Sequence, residues 1–211
     1  MRKLLTTLLF ILAWPTAVNA QGVCSNPILL KFFETLGAAC KTGACDPSVM
    51  EELDHAVKKK DLLGALRNPS LSAVHIFFPS ARYRLDEAFD WSTIKLDQLA
   101  AIEATLNGPH ESAIVYVIGK ASRVGDPDLN IRLSRERARG VVDYMRTNIS
   151  DRFNHYHTAW AGEEVLQFED SDATFLNLQP RDFRDDDLIL NQAVHVFIYP
   201  CVEELKSSDH Q

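Results

Sequence analysis

The chain has 211 residues, of which 46% are hydrophobic and 24% charged, and its formal net charge is −7. This length and composition fit one ordinary globular domain with a small appendage. The acidic balance argues against a nucleic-acid partner, because the phosphate backbone attracts basic surfaces.

The amino-terminal segment, residues 1–20, predicts a cleaved secretory signal peptide. Arg2 and Lys3 precede a short apolar run that ends in small residues at Ala20. A membrane-spanning helix is the alternative, but the run is too short and Pro15 interrupts it. Cleavage after Ala20 would remove two cations, so the formal net charge would change from −7 to −9. No later segment is long enough to span a membrane.

Four cysteines follow the predicted signal: Cys24, Cys40, Cys45 and Cys201. An even number in an exported chain indicates two disulfides, for which three pairings are possible. A short loop would let Cys40 meet Cys45, which leaves Cys24 to reach Cys201 at the end of the last strand. A metal site is the alternative, but the spacing matches no zinc pattern. Lipidation of Cys24 is also disfavoured by the residues ahead of it.

A disulfide-linked helical hairpin is predicted over residues 21–69. Apolar residues recur at helical spacing over residues 28–36, and Gly37 is expected to end this helix. A second stripe covers residues 49–57, and Asp46 is expected to cap its start.

Strands and helices alternate over residues 70–201. Strands are predicted over residues 73–78, 113–118, 153–160 and 193–199, and helices over residues 96–106 and 134–145. The second strand is apolar on both faces and should be central in a sheet. Ser134 is expected to cap the second helix, and an acidic loop around residues 185–187 should precede the last strand. Helices segregated on a mixed sheet predict an α+β, two-layer sandwich.

The segment GKASRVGDPDLNIRLSRERARGVVDYM carries a family resemblance. It is similar to the signature of OmpA-like carboxy-terminal domains, in which glycines and an asparagine precede Leu-Ser-x-x-Arg-Ala-x-x-Val. The positions in register are Gly119, Gly125, Asn130, Leu133, Ser134, Arg137, Ala138 and Val141. The resemblance covers residues 73–199 and implies a βαβαββ domain with a mixed four-stranded sheet, after which residues 202–211 form a tail.

Domains of this family hold peptidoglycan peptide stems non-covalently through diaminopimelate. Its free end carries an ammonium, which needs an acid, and a carboxylate, which an arginine fork suits. The resemblance places Arg137, Asn130 and Leu133 in this site, but Ser122 stands at the aspartate position. Losing a charge-assisted bond costs about 1.5–3 kcal/mol.

The missing acid leaves two possibilities for ligand binding. Either Asp126 or Asp128 replaces it, or the site takes an anionic ligand instead. Lys120 and Arg123 add positive charge near the expected ammonium position. Alternatively the domain keeps only the fold, and a local acid such as Asp128 or Asp143 pairs with Arg137.

Together these features predict a periplasmic protein of a Gram-negative envelope, associated with the outer membrane or the cell wall. It would bind peptidoglycan and anchor a protein partner to the wall. The alternative is a scaffold subunit of a secretion or conjugation apparatus that has lost peptidoglycan binding. We expect neither enzymatic activity nor a metal or cofactor.

Overall fold

The structure is a computed structural model. It describes residues 21–39, 55–68, 71–89, 113–149, 156–163, 167–168 and 189–201. Several predicted features lie outside these residues, so they stay predictions: the signal peptide, the start of the second helix of the hairpin, the helix over residues 96–106, the acidic loop, the tail, and Cys40 with Cys45.

Within the described ranges, four strands form one mixed sheet. They are β1 (Ser72–Phe77), β2 (Ile114–Gly119), β3 (Tyr156–Trp160) and β4 (Ala193–Tyr199), in the spatial order β1-β4-β2-β3. β4 runs antiparallel to β1 and β2, whereas β2 and β3 are parallel. Parallel neighbours need a long crossover connection, and the helix Pro127–Asn148 supplies it between β2 and β3. The predicted α+β class with a mixed four-stranded sheet is confirmed.

Helices cover both faces of the sheet. On one face, Val141 and Met145 of the Pro127–Asn148 helix pack against Val115, Val117 and Val196. The other face packs against the amino-terminal helices. All residues of β2 and β4 are buried, because both strands are central and covered on both sides. This burial accounts for their uninterrupted apolar sequences.

Three amino-terminal helices are described: α1 (Gln21–Cys24), α2 (Pro27–Ala39) and α3 (Lys59–Leu66). The side chain of Asn26 caps α2 by accepting hydrogen bonds from the backbone N–H groups of Ile28 at 3.0 Å and Leu29 at 3.2 Å. The predicted end of α2 at Gly37 is wrong, because the helix continues to Ala39. At Gly37 an added Cβ would lie 3.3 Å from the Tyr116 hydroxyl, so glycine here permits close packing on β2.

Aromatic side chains of α2 join it to the sheet. The ring of Phe33 lies 4.7 Å from that of Tyr116 and 4.3 Å from that of Tyr199, measured between centroids. The Tyr116 hydroxyl donates a hydrogen bond to the Phe33 carbonyl at 3.2 Å. A disulfide between Cys24 and Cys201 then links the end of α1 to the residues after β4. This predicted pairing is confirmed, and the amino-terminal helices therefore share a core with the sheet.

The crossover helix, named α4 (Pro127–Asn148), begins seven residues before the predicted cap at Ser134. The Asp126 carboxylate caps it by accepting from the Leu129 N–H at 2.9 Å, and Pro127 occupies the first turn. Aspartate followed by proline is a strong helix start. Ser134 is fully buried inside the helix, so its prediction as a cap was wrong. Among the described residues, no helix has the length and apolarity that crossing a membrane requires.

A buried histidine pair joins β1 to β4 on the face covered by the amino-terminal helices. The Nδ1 atoms of His75 and His195 lie 2.8 Å apart, and His195 is 3% exposed. Its Nε2 has no hydrogen-bond partner within the described part of the chain. Burial, and then the nearby His75 and Lys120, hold the pKa of His195 well below its ordinary value. His195 is therefore neutral in the folded protein at mildly acidic pH.

We expect His195 to make stability fall as the pH decreases. In the unfolded chain a histidine takes up a proton near pH 6.5, whereas the folded protein resists that proton, so the free energy of unfolding decreases below about pH 6.5. One such group contributes up to about 1.4 kcal/mol per pH unit. Urea denaturation of the wild type and of His195→Gln between pH 7.5 and 5 measures this slope.

The slope should be shallower in His195→Gln than in the wild type. His55→Gln is the matched control, because His55 is exposed and its replacement should leave the slope unchanged. Equal slopes in all three proteins would show that His195 does not resist protonation in the fold.

Candidate functional site

The candidate site begins where β2 ends and passes directly under α4. A Cβ atom added to Gly119 would overlap the backbone carbonyl of Ser134, so only glycine allows this approach. The Ser134 hydroxyl donates to the Ile131 carbonyl at 2.8 Å and accepts from the Gly162 N–H at 3.1 Å. Two motif residues, Gly119 and Ser134, therefore hold the helix, β2 and the segment after β3 together.

An exposed turn connects β2 to α4. Gly125 has φ of +105°, a conformation that favours glycine. Arg123 is exposed, and Val124 is 60% exposed. The turn leads to the Asp126 cap, so its backbone is fixed at both ends.

Arg137 lies beneath this loop and is only 1% exposed. Its Nε donates to the Arg82 carbonyl at 2.7 Å, and its Nη1 donates to the Lys120 carbonyl at 2.8 Å. Its Nη2 donates to the Pro79 carbonyl at 3.3 Å. Burial lowers the pKa of Arg137 to about 10, which still leaves it a cation at neutral pH. Three main-chain carbonyls thus surround the guanidinium.

The partners of Arg137 differ from the acids suggested by the sequence. Asp128 and Asp143 are both exposed, and neither pairs with it. Among the described residues Arg137 forms no salt bridge. Within the described part of the chain, its charge is stabilised by these carbonyl dipoles and by the ring of Phe78, whose centroid lies 5.3 Å from Cζ, without a neutralising carboxylate.

The 79–82 turn, which follows β1, supplies two of these carbonyls. The Arg82 N–H donates to the Pro79 carbonyl at 3.1 Å and closes the turn. Ala81 has φ of +56°, in the left-handed region that a residue with a Cβ rarely occupies. Sequence reasoning missed this turn as part of the site, because no pattern in it indicates a contact with a helix residue more than fifty positions later.

Asn130 holds an acid that sequence reasoning missed. It is 3% exposed, and its Nδ2 donates to the Val124 carbonyl at 3.3 Å and to Oε2 of Glu163 at 2.6 Å. Glu163 directly follows Gly162, whose φ of +52° turns the chain after β3. The available sequence signal was only its place after the third predicted strand, within the residues 73–199 that the family resemblance covers.

The other predicted site residues occupy distinct positions. Ser122 and Leu133 are each 7% exposed. Asp126 is exposed and serves as the helix cap, and Asp128 is exposed in the first turn of α4. The structure therefore places Ser122, Asn130, Leu133 and Arg137 in buried positions and both suggested compensating acids on the surface.

The fold is similar to that of a peptidoglycan-associated lipoprotein. That protein, from Burkholderia pseudomallei, has a crystal structure that matches with a TM-score of 0.41 and 15% sequence identity, over 59% of this chain and 89% of that chain. No protein-family model matches the chain, and comparison with curated protein sequences gives no match. The family resemblance therefore depends on the residues of the motif over positions 119–141.

Lys120 does not contribute its charge to the loop. It is fully buried, and its Nζ donates to Oδ1 of Asn191 at 3.1 Å and lies 3.9 Å from the centroid of the Phe168 ring. Phe168 belongs to the core beneath the amino-terminal helices, on the face of the sheet opposite α4. The expectation that Lys120 adds positive charge near a bound ammonium was wrong, because side chains alternate between faces along a strand.

Proposed function

We propose that this is a periplasmic cell-envelope protein whose OmpA-like domain binds peptidoglycan peptide stems non-covalently. It thereby anchors a protein partner or envelope complex to the cell wall. The motif over residues 119–141 supports the family assignment, and the Burkholderia protein is by its name associated with peptidoglycan. The predicted signal peptide supports export, and the Cys24–Cys201 disulfide is consistent with an oxidising compartment.

The observation that carries this proposal is a pair of opposite charges on either side of residues 120–122. The Lys120 carbonyl accepts from the guanidinium of Arg137, and the Ala121 N–H donates to Gly162 at 2.8 Å, next to Glu163. A buried cation, which no acid of the described residues pairs with, therefore lies on one side and a carboxylate on the other. Opposite charges at one loop suit a zwitterion such as the free end of diaminopimelate.

Binding should be weaker than in a domain that keeps the aspartate. Ser122 offers a hydroxyl in place of a charge, and a charge-assisted hydrogen bond is worth about 1.5–3 kcal/mol. That difference corresponds to one to two decades of affinity. We therefore propose that the protein binds the cell wall with low affinity. Weak binding is sufficient if a protein partner also holds the molecule in place.

Co-sedimentation with purified sacculi tests the proposal. We expect the wild type to sediment with the sacculi and Ser122→Asp to bind at least about tenfold more tightly, because the acid is restored. Ser25→Asp is the matched control, since Ser25 is exposed and lies between α1 and α2; it should bind like the wild type. If neither the wild type nor a folded Ser122→Asp variant sediments, the protein does not bind peptidoglycan through this site.

A second candidate function is that of a scaffold subunit in a secretion or conjugation apparatus. The burial of Arg137 favours it, because a guanidinium that is 1% exposed cannot contact a ligand unless the 79–82 turn moves. This function predicts a folded protein that ignores sacculi and instead co-purifies with envelope proteins in a stoichiometric complex. Sedimentation of the wild type with sacculi would argue against it.

A further inference from the structure

Glu163 presents a carboxylate at the loop, and among the described residues one of its oxygens accepts a hydrogen bond while the other has no partner. Its Oε2 accepts the 2.6 Å hydrogen bond from Asn130, and the residue is half-buried. Among the described residues Glu163 forms no salt bridge. A fixed carboxylate with a remaining oxygen is suited to bind a cationic group of a ligand.

The surroundings of Glu163 hold it in place. Gly162, the preceding residue, accepts from the Ala121 N–H at 2.8 Å and donates to the Ser134 hydroxyl at 3.1 Å. An added Cβ on Gly162 would lie 3.0 Å from Cγ1 of Ile131, so this segment lies directly against α4. Asn130 is itself fixed by its second bond, to the Val124 carbonyl. Glu163 is thus connected to the loop at two points: through Asn130 to Val124, and through Gly162 to Ala121.

Neither of the acids suggested by the sequence has these properties. The Asp126 carboxylate caps α4 through the Leu129 N–H, and turning it toward a ligand would break that bond. Asp128 is exposed on the first turn of α4. Glu163, in contrast, lies next to residues 120–122, because the carbonyl of the preceding Gly162 accepts a hydrogen bond from the Ala121 N–H.

We propose that Glu163 binds the ammonium at the free end of the peptide stem and so supplies part of the charge that Ser122 lacks. This inference rests on the proposed function, since it names the acid of that same site. The ammonium then lies on the Glu163 side of residues 120–122, and the buried guanidinium of Arg137 attracts the ligand carboxylate through its charge without contacting it.

Isothermal titration calorimetry with the soluble tripeptide L-Ala-γ-D-Glu-meso-diaminopimelate tests this assignment. Glu163→Gln keeps an oxygen for Asn130 but removes the charge, so we expect binding about 10–100-fold weaker than in the wild type. Asp61→Asn is the matched control, because Asp61 is an exposed acid in the first turn of α3, and this variant should bind like the wild type. A second tripeptide, acetylated on the free amine of diaminopimelate, should bind wild type and Glu163→Gln equally.

The outcomes separate the two proposals. If the wild type binds the tripeptide and Glu163→Gln binds it equally well, Glu163 is not the ammonium acid, although the proposed function stands. If the folded wild type binds neither the tripeptide nor sacculi, the proposed function fails and this inference fails with it. Both proposals are supported if Glu163→Gln is the only variant that binds the tripeptide more weakly than the wild type does, and if this difference disappears with the acetylated tripeptide.

Discussion

Replacing Cys24 and Cys201 together by alanine is expected to lower the free energy of unfolding by up to about 5 kcal/mol. The two cysteines are separated by 177 positions, so their bond closes a very long loop. In the chain-entropy account, a longer loop removes more freedom from the unfolded chain and stabilises the folded state more. Urea denaturation of the oxidised proteins, monitored by circular dichroism, measures the difference.

A second double variant provides the control for this disulfide. Cys40→Ala with Cys45→Ala removes two cysteines that lie close together in the sequence, where any bond would close a short loop. We expect a smaller loss of stability there. A Cys24→Ala, Cys201→Ala protein that is as stable as the wild type would mean that packing of α2 alone holds the amino-terminal helices on the sheet.

Replacing Arg137 by methionine is expected to cost about 3 kcal/mol of stability. The guanidinium satisfies the carbonyls of Pro79, Arg82 and Lys120, and methionine keeps much of the side-chain length but none of the donors. The Lys120 carbonyl is the buried one, so it is left without this bond. Arg137→Lys should also destabilise, because an ammonium lacks the planar fork that reaches three separate acceptors.

Arg132→Met on the same helix is the matched control for Arg137→Met. Arg132 is exposed, so its replacement should change the free energy of unfolding by no more than about 0.5 kcal/mol. Equal stability of the two variants would contradict the conclusion that the hydrogen bonds of Arg137 hold the 79–82 turn against the end of β2. Because Arg137 variants change stability, loss of sacculus binding in them does not by itself identify a ligand contact.

The strands could be predicted from the sequence because their patterns are local. The strand predicted over residues 193–199 coincides with β4, and the strand predicted over residues 113–118 differs from β2 by one residue at each end. Helix starts were less certain, since both Asp126 and Ser134 have side chains that can cap. Sequence favoured Ser134, whose hydroxyl instead bonds within α4 and to Gly162, a partner that only the fold brings close.

The candidate site could be predicted only in part. The motif located Asn130 and Arg137, because their spacing is fixed within one loop and one helix. It could not show that carbonyls from a distant turn enclose Arg137, since main-chain acceptors carry no residue signature. Glu163 was missed for a related reason: its contact with Asn130 joins residues 33 positions apart, across β3. The Lys120 N–H still donates to the Ala193 carbonyl, so the strand pairing continues past Gly119. The alternation of side chains therefore places Lys120 on the face opposite α4.

Chemical-shift mapping decides whether the loop between β2 and α4 binds a peptidoglycan stem. We would titrate the ¹⁵N-labelled protein with the soluble diaminopimelate tripeptide and follow its amide resonances. If the loop binds the stem, we expect saturable shifts at residues 119–130 and 161–163, with the amino-terminal helices unaffected. No shifts at any tripeptide concentration, or shifts confined to α2 and α3, would contradict it.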